Sequence, residues 1–165
     1  MDIELTAAAA DDMQAIGRAL GQAMRVGDVV GLVGPLGAGK TTLAQGIAQG
    51  LEVPPDRHVA SPTFALVNEH SARVPFVHAD FYRLANQTEL MELGLDEIFD
   101  RAAVVIEWVD LFPAAVPADH LTVTITPLPH DARRLHLEAS GAIGERLIAA
   151  VGTLTLTLSR KRERG

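Results

Sequence analysis

The chain of 165 residues contains no cysteine, which excludes disulfide bridges, thiolate catalysis and cysteine-based metal sites. No apolar run approaches the ~20 residues that a membrane-spanning helix needs. The acidic N-terminus also lacks the basic region that is typical of a secretory signal. We therefore expect a cytoplasmic protein with no membrane partner.

Positive charge is scarce, since the chain has only two lysines, Lys40 and Lys161, and a formal net charge of −7. Residues 160–164 contribute +3, so the rest of the chain carries about −10. An acidic surface binds nucleic-acid phosphates poorly, and we expect any nucleic acid to be held by a partner. We interpret residues 1–152 as one domain and residues 153–165 as a disordered basic tail, although the alternating pattern of 153–158 also fits an edge strand.

An apolar run over residues 30–33 leads into the pattern G-x-x-x-x-G-K-T, which predicts a phosphate-binding loop. Gly34, Gly37 and Gly39 allow the backbone to turn its N–H groups towards a chain of phosphates. Lys40 adds a positive charge, and Thr41 offers a hydroxyl to Mg²⁺. The helix predicted after the loop directs its positive end at the same anion.

Apolar periodicity predicts two helices around this loop. The first is capped by Asp11 or Asp12. The second follows the loop and ends near Gly50. The residues expected on their buried faces are Met13, Ile16, Leu20 and Met24 in the first helix and Leu43, Ile47 and Leu51 in the second.

The second half of the chain reads as strands and short helices. The apolar run 103–106 predicts a buried parallel strand that ends at Glu107, and residues 121–126 and 134–138 alternate as an antiparallel pair does. Further predictions are extended segments near 63–67 and 74–78, short helices over 89–93 (capped by Thr88) and 96–99, and a closing helix over 143–151. These elements predict an α/β fold, a three-layer sandwich like that of P-loop NTPases, with a mixed, partly parallel central sheet.

Two acidic residues are candidates for the second half of a nucleotide site. Glu107, at the end of a buried strand, fits the acid that holds Mg²⁺, and Asp110 is a less suitable rival because it lies outside the apolar run. Asp80 follows a strand and fits a catalytic role and a helix cap equally well. Arg83 fits an arginine finger or a salt bridge.

The choice of nucleotide follows from the lysines. The usual guanine-specificity motif needs a lysine followed two positions later by aspartate, and neither Lys40 nor Lys161 meets this requirement. The sequence therefore favours ATP over GTP.

Several motifs occur together in a characteristic order. The phosphate loop is followed by S-P-T-F at 61–64, H-A-D-F-Y-R-L at 78–84, E-L and G-L at 89–90 and 94–95, and E-W at 107–108. Over about residues 5–150 the chain resembles the TsaE family (formerly YjeE), the small ATPases of bacterial tRNA threonylcarbamoyladenosine synthesis.

The resemblance implies an ATP- and Mg²⁺-dependent partner of the TsaD and TsaB proteins that meets tRNA only through their complex. It implies that Asp80 and Glu107 serve hydrolysis, that Thr41 and Glu107 hold Mg²⁺, and that the segment around Ser61 lies near the γ-phosphate. The nucleotide-binding residues expected on this basis are Gly34, Leu36, Gly37, Ala38, Gly39, Lys40, Thr41, Thr42 and Thr63.

Two other functions remain compatible with a phosphate loop in a chain of this size. One is a small-molecule kinase, although no arginine-rich lid segment is visible in the sequence. The other is a module that binds ATP to set its affinity for a partner without hydrolysing it. For the ATPase we expect slow turnover by the isolated chain, because a partner commonly completes such sites.

Overall fold

The computed structural model describes residues 1–56 and 67–164, with side chains described up to residue 154. The predicted extended segment near Thr63 begins outside the described residues. The elements are β1 (Asp2–Ala7), α1 (Ala10–Ala23), β2 (Val29–Val33), α2 (Lys40–Gly50), β3 (Val67–His70), β4 (Phe76–Asp80), α3 (Gln87–Glu92), α4 (Leu95–Phe99), β5 (Ala103–Glu107), β6 (Leu121–Pro127), β7 (Arg133–Ala139) and α5 (Ala142–Arg164).

The strands form a seven-stranded sheet in the order β1-β7-β6-β2-β5-β4-β3. Strands β6, β2, β5 and β4 run parallel to one another and form the core of the sheet. Strand β7 pairs antiparallel with β6, β1 with β7, and β3 with β4. Because β2 and β5 pack against helices on both faces, their residues are apolar almost throughout. The predicted mixed sheet, the buried parallel strand ending at Glu107 and the β6–β7 pair are confirmed.

Two apolar cores lie on opposite faces of the sheet and give the predicted three layers. Helices α1, α2 and α5 cover one face through side chains such as Leu20, Ile47 and Val151. The short helices α3 and α4 cover the other face through side chains such as Leu90 and Phe99. Among the described residues, no helix combines the length and the apolar character needed to cross a bilayer.

The caps of two helices differ from the predictions. Helix α1 begins after Ala9, and Asp12 lies inside its first turn, where the carboxylate accepts a hydrogen bond from the N–H of Ala8. Helix α3 is capped by Asn86 instead of Thr88, since the Asn86 side chain accepts a hydrogen bond from the N–H of Glu89 at 3.0 Å. At α1 the capping position is Ala9, whose side chain has no acceptor, so neither Asp11 nor Asp12 is the cap. At α3 the helix starts two residues earlier than predicted, which places Asn86 at the capping position.

The two ends of the chain also differ from the predictions. Strand β1 was not expected, although residues 2–7 alternate in burial along the edge of the sheet beside β7. Helix α5 continues to Arg164, which replaces both the edge strand considered for 153–158 and the helix end predicted at Val151. An isolated period-2 pattern of Thr and Leu fits a strand only where a sheet edge is available to pair with it.

Candidate functional site

The site lies in a cleft of about 430 Å³ at the carboxyl ends of the parallel strands. Strand β2 runs into the phosphate loop, β4 ends at Asp80 and β5 ends at Glu107. Asp80 and Glu107 are register partners on neighbouring strands, so the sheet places the two carboxylates side by side. Ligands of open α/β sheets bind at this end of the strands.

The phosphate loop has the backbone conformation that its glycines predict. Gly37 and Gly39 have φ angles of 77° and 110°, which side-chain-bearing residues rarely adopt. Lys40 Nζ donates hydrogen bonds to the carbonyl oxygens of Gly34 at 2.5 Å and Pro35 at 2.9 Å, so the side chain that ends the loop stabilises its first residues. Helix α2 begins at Lys40 and directs its N-terminus at the cleft, an arrangement that suits an anion.

Glu107 is buried and uses both carboxylate oxygens. Its Oε1 accepts a hydrogen bond from the Thr41 hydroxyl at 3.2 Å, and its Oε2 lies 2.6 Å from Nε2 of His78. A carboxylate can only accept, so this contact favours the His78 tautomer whose Nε2–H donates to Glu107, and Nδ1 has no hydrogen-bond partner among the described residues. A hydroxyl and a carboxylate side by side form a hard oxygen pair of the kind that Mg²⁺ prefers.

Buried polar side chains are concentrated here. Of the five that the described residues contain, four lie in or beside the cleft: Lys40, His78, Asp80 and Glu107. Burial lowers the pKa of Lys40, and the nearby carboxylates of Glu107, Asp80 and Asp110 oppose that shift. The carboxylates near Lys40 therefore compensate its positive charge, which would otherwise be costly to bury.

Two aromatic side chains form one wall of the cleft. Trp108 adopts the left-handed conformation (φ 59°, ψ 36°), which costs of order 1 kcal/mol for a residue with a side chain. In this conformation its ring lies 4.1 Å from Nζ of Lys40, and the half-exposed ring of Tyr82 packs against it with centroids 4.9 Å apart. The strained residue thus provides a cation–π contact for the loop lysine.

The structure distinguishes between the roles considered for the acidic residues. Asp80 Oδ1 accepts a hydrogen bond from the N–H of Tyr82 at 2.8 Å, which is an Asx turn at the end of β4 and not a helix cap. Asp110 is exposed on a 3₁₀ turn and does not line the cleft, whereas Glu107 does. Arg83 is exposed at the rim of the cleft.

The expected nucleotide-binding residues divide into three groups. Gly34 and Ala38 belong to the loop but are not among the residues that line the cleft, and Thr63 lies outside the described residues, as does Ser61. The residues that line the cleft are Leu36, Gly37, Gly39, Lys40, Thr41 and Thr42.

A second cavity of about 510 Å³ adjoins the first and shares Gly39 and Thr42 with it. Its other walls come from residues 8–10, Met13 and the hairpin between β6 and β7, including Arg133. The sequence did not assign this cavity, because its walls come from three distant segments. The sequence also gave no role to His78, whose contact with Glu107 joins two neighbouring strands.

Comparison with known proteins identifies the family. Residues 7–135 match the family model described as "Threonylcarbamoyl adenosine biosynthesis protein TsaE". The tRNA threonylcarbamoyladenosine biosynthesis protein TsaE of Mycobacterium bovis is 38% identical over 135 residues, which cover 76% of this chain and 79% of the relative. The protein of the same name from Bacillus subtilis is 37% identical over 133 residues, which cover 79% and 82%.

The fold agrees with these sequence matches. The crystal structure of Bacillus subtilis YdiB superimposes with a TM-score of 0.80 and 29% identity, covering 93% of this chain and 95% of the YdiB chain. Sequence and fold therefore lead to the same conclusion: the chain belongs to the TsaE family, whose role is in tRNA threonylcarbamoyladenosine biosynthesis.

Proposed function

We propose that the chain is a Mg²⁺-dependent ATPase that supports the tRNA threonylcarbamoyladenosine machinery in the cytoplasm. It binds the TsaD and TsaB proteins and meets tRNA only through them. The observation that carries the enzymatic part is the convergence of the phosphate loop, the Thr41–Glu107 pair and Asp80 in one cleft. The partner proteins follow from membership of the family.

The two adjoining cavities suit the two halves of a nucleotide. The first is lined by the phosphate loop and by Lys40, so it receives the phosphates. The second continues from it past Gly39 and Thr42 and receives the base. Because both cavities border Gly39 and Thr42, we expect one nucleotide to extend past these residues from the first cavity into the second.

The residues of the cleft have two separate roles, binding the phosphates and binding Mg²⁺. Lys40 and the amides of the loop neutralise and orient the phosphates. Thr41 and Glu107 hold Mg²⁺, because the hydroxyl keeps a lone pair for the metal while it donates its proton to the carboxylate. When bound, Mg²⁺ supplies positive charge that offsets the charge developing on the phosphate oxygens.

Asp80 is the candidate for positioning the attacking water. Its Oδ1 accepts a hydrogen bond from the N–H of Tyr82, so the backbone orients the carboxylate. Asp80 is also the register partner of Glu107 on the neighbouring strand. Water attacks the γ-phosphorus, the bond to the bridging oxygen breaks, and ADP and inorganic phosphate leave with the water proton passing to solvent or phosphate. Asp80 contributes by accepting a hydrogen bond from that water.

The rim of the cleft explains why we expect slow turnover without a partner. Leu36 is 71% exposed and Tyr82 is 51% exposed, and both lie at the mouth of the cleft. A site with exposed side chains at its mouth admits water and leaves apolar surface for a partner to cover. A protein that covers this surface completes the site, and such completion raises hydrolysis by ~10³ or more in related phosphoryl-transfer systems.

The test is phosphate release from Mg²⁺-ATP, with and without the TsaD–TsaB pair, for the wild type, Asp80→Asn and Glu107→Gln. We expect strong stimulation of the wild type by the pair, and loss of that stimulation in both variants. Asp110→Asn is the matched control, because this carboxylate also acts on Lys40 from outside the cleft. It should hydrolyse ATP as the wild type does.

Other results would favour the alternative functions. Transfer of phosphate to an added acceptor, in place of release, would support a small-molecule kinase. Full support of tRNA modification by a Glu107→Gln variant that binds ATP without hydrolysing it would support a nucleotide-sensing module. Equal and fast turnover with and without TsaD–TsaB would contradict the partner-dependent mechanism.

A further inference from the structure

Arg133 contacts the phosphate loop from outside the catalytic cleft. Its Nε donates a hydrogen bond to the carbonyl oxygen of Ala38 at 2.8 Å, and its Nη2 lies 3.4 Å from that of Gly37. A third donor, Nη1, bonds the carbonyl of Ala132 at 3.0 Å and fixes the guanidinium on its own strand. The side chain therefore joins the start of β7 to a loop 95 residues earlier in the chain.

The contact with Ala38 has a consequence for the neighbouring amide. A trans peptide is planar, and its C=O and N–H point in opposite directions. With the Ala38 carbonyl held by Arg133, the N–H of Gly39 in the same peptide points away from Arg133. Gly39 lines the phosphate cleft and Arg133 does not, so this orientation directs the amide to the cleft side.

The carbonyl oxygen of Gly39 is held by the N–H of Leu43 at 3.0 Å at the start of α2, so the peptide that needs external support is the one before Gly39. Glycine has no side chain to restrict φ, and the φ of 110° at Gly39 is one of many values that it can adopt. Gly39 itself therefore does not fix the orientation of the Ala38–Gly39 peptide. The Ala38 N–H is held within the loop by the Pro35 carbonyl at 3.1 Å. The Ala38–Gly39 peptide is held from outside, by a charged donor of the kind that forms the stronger hydrogen bonds.

We propose that Arg133 is a positioning residue of the phosphate loop, which orients the Gly39 amide for phosphate binding by holding the Ala38 carbonyl. The inference rests on the proposed nucleotide-binding function and adds a residue outside the G-x-x-x-x-G-K-T motif. It also links the β6–β7 hairpin, which walls the second cavity, to the loop that binds phosphate. Arg133 acts through the loop and needs no contact with the phosphates.

The adjacent arginine provides a matched control. Arg133 shares a face of β7 with the buried residues Leu135 and Leu137, whereas Arg134 is exposed on the opposite face. Arg133→Gln and Arg134→Gln therefore remove the same charge from neighbouring positions. Only the first removes a contact with the loop, and Arg133→Lys keeps a charged donor at that position.

The experiment measures binding of Mg²⁺-ADP and of Mg²⁺-tripolyphosphate, which has no base, through the fluorescence of Trp108. This is the only tryptophan, and it contacts Lys40 in the cleft. Loss of one charged hydrogen bond predicts Kd values about tenfold higher for both probes in Arg133→Gln. We expect a smaller increase in Arg133→Lys and wild-type values in Arg134→Gln.

Kinetics separate positioning from a general structural role. Arg133→Gln should raise KM for ATP about tenfold and change kcat by no more than about threefold, because saturating nucleotide restores the loop. A variant that merely folds less well would lose binding capacity and thermal stability while the remaining molecules kept the wild-type Kd. Wild-type Kd values in Arg133→Gln would overturn the proposal.

Two further outcomes are informative. Weaker binding of ADP alone, with tripolyphosphate unaffected, would place Arg133 against the base and overturn the positioning role. If the wild-type protein binds neither probe, the proposed function fails together with the inference. If the wild type binds both probes and does not hydrolyse ATP, only the ATPase proposal fails, and the Kd comparison still decides the role of Arg133.

Discussion

At the scale of single residues, the site depends on a carboxylate whose two oxygens have different neighbours. One carboxylate oxygen of Glu107 accepts a hydrogen bond from the Thr41 hydroxyl, and the other accepts one from the imidazole of His78. Mutation of a side chain that orients a metal-binding group commonly lowers metal affinity by about 10–100-fold. His78 holds such a position relative to Glu107, the proposed Mg²⁺ ligand, since it is buried on β4 and contacts the Glu107 carboxylate.

This arrangement predicts that His78→Leu raises the Mg²⁺ concentration needed for half-maximal ATP hydrolysis about tenfold, because Glu107 loses its orienting donor. His78→Gln keeps an N–H donor and should restore part of the Mg²⁺ affinity. Phosphate release measured across a Mg²⁺ titration checks this. His120→Gln is the control, because His120 bonds Pro117 and Thr122 away from the cleft. The same Mg²⁺ dependence in wild type and His78→Leu would refute the prediction.

At the scale of secondary-structure elements, α1 and α2 approach each other through glycines. Gly17 and Gly21 of α1 face Gly46 and Gly50 of α2, each pair spaced by four residues. A Cβ added at Gly17 would lie 2.6 Å from the carbonyl oxygen of Leu43 and 2.8 Å from the Cα of Gly46. The close backbone contact places α1 directly behind the helix that follows the phosphate loop.

Gly17→Ala should therefore destabilise the protein, by about 2 kcal/mol, because neither backbone can move without disturbing the core. Thermal unfolding would show this as a decrease in Tm of about 5 °C. Gly152→Ala in α5 is the matched control, because none of the described residues comes within 4 Å of the added Cβ there. It should leave stability unchanged or raise it by up to about 1 kcal/mol, since alanine favours helices. Equal Tm values for the two variants would contradict the close contact.

The pairing of β1 with β7 carries an exposed, pH-sensitive contact. His136 Nε2 lies 2.9 Å from Oδ2 of Asp2, and the hydrogen bond between them raises the pKa of His136 and lowers the pKa of Asp2. Both groups are charged between about pH 4 and about pH 6.5, so the contact contributes fully in that window. It weakens above the window as His136 loses its proton, and below it as Asp2 gains one.

We expect an NMR titration of the His136 ring to give a pKa above the ordinary histidine value in the wild type. In Asp2→Asn the pKa should fall towards that value, because the charged acceptor is gone. Asp96→Asn, on α4, removes an equal charge far from the β1 edge and should leave the His136 pKa unchanged. Identical titration curves in the wild type and Asp2→Asn would show that the contact does not form in solution.

At the scale of the whole molecule, helix α5 completes the apolar core that α1 and α2 form on one face of the sheet. The buried residues Leu147, Ile148 and Val151 of α5 join the cluster of α1 and α2, and Leu154 packs against it. Arg146 of α5 also reaches back to Asp28 before β2, with Nη2 at 2.5 Å from the carboxylate. These contacts come from residues up to 154, the last whose side chains the structure describes.

A chain that ends at residue 154 should consequently keep its fold and its nucleotide site. We expect its Tm to stay within about 2 °C of the full chain, since the buried contacts described for Leu147, Ile148 and Val151 of α5 remain. Its ATP turnover and Mg²⁺ dependence should match those of the full chain. Thermal unfolding and phosphate release measure both properties side by side. A large drop in Tm would show that residues 155–165 belong to the domain, against the boundary predicted from the sequence.

The sequence predicted most of the core elements because their signals are local. The periodicity around Ile16 and Ile47 identified the two helices that pack on the sheet, and the run ending at Glu107 identified a buried parallel strand. The cap of α3 was predicted wrongly, because Asn86 and Thr88 are both good capping residues two positions apart and the exact start of the helix decides between them. Strand β1 was missed, because residues 2–7 pair with β7, a strand near the other end of the chain.

By itself the sequence determined the phosphate loop, because its glycines, lysine and threonine lie within nine consecutive positions, 34–42, and set their own backbone conformation. Only the tertiary structure decided which distant residues serve that loop. Strand order brought Asp80 and His78 beside Glu107, and strand alternation with the β6–β7 hairpin brought Arg133, not Arg134, to Ala38. Hydropathy periodicity specifies which face of a strand is buried, but strand order and register arise from packing the whole chain.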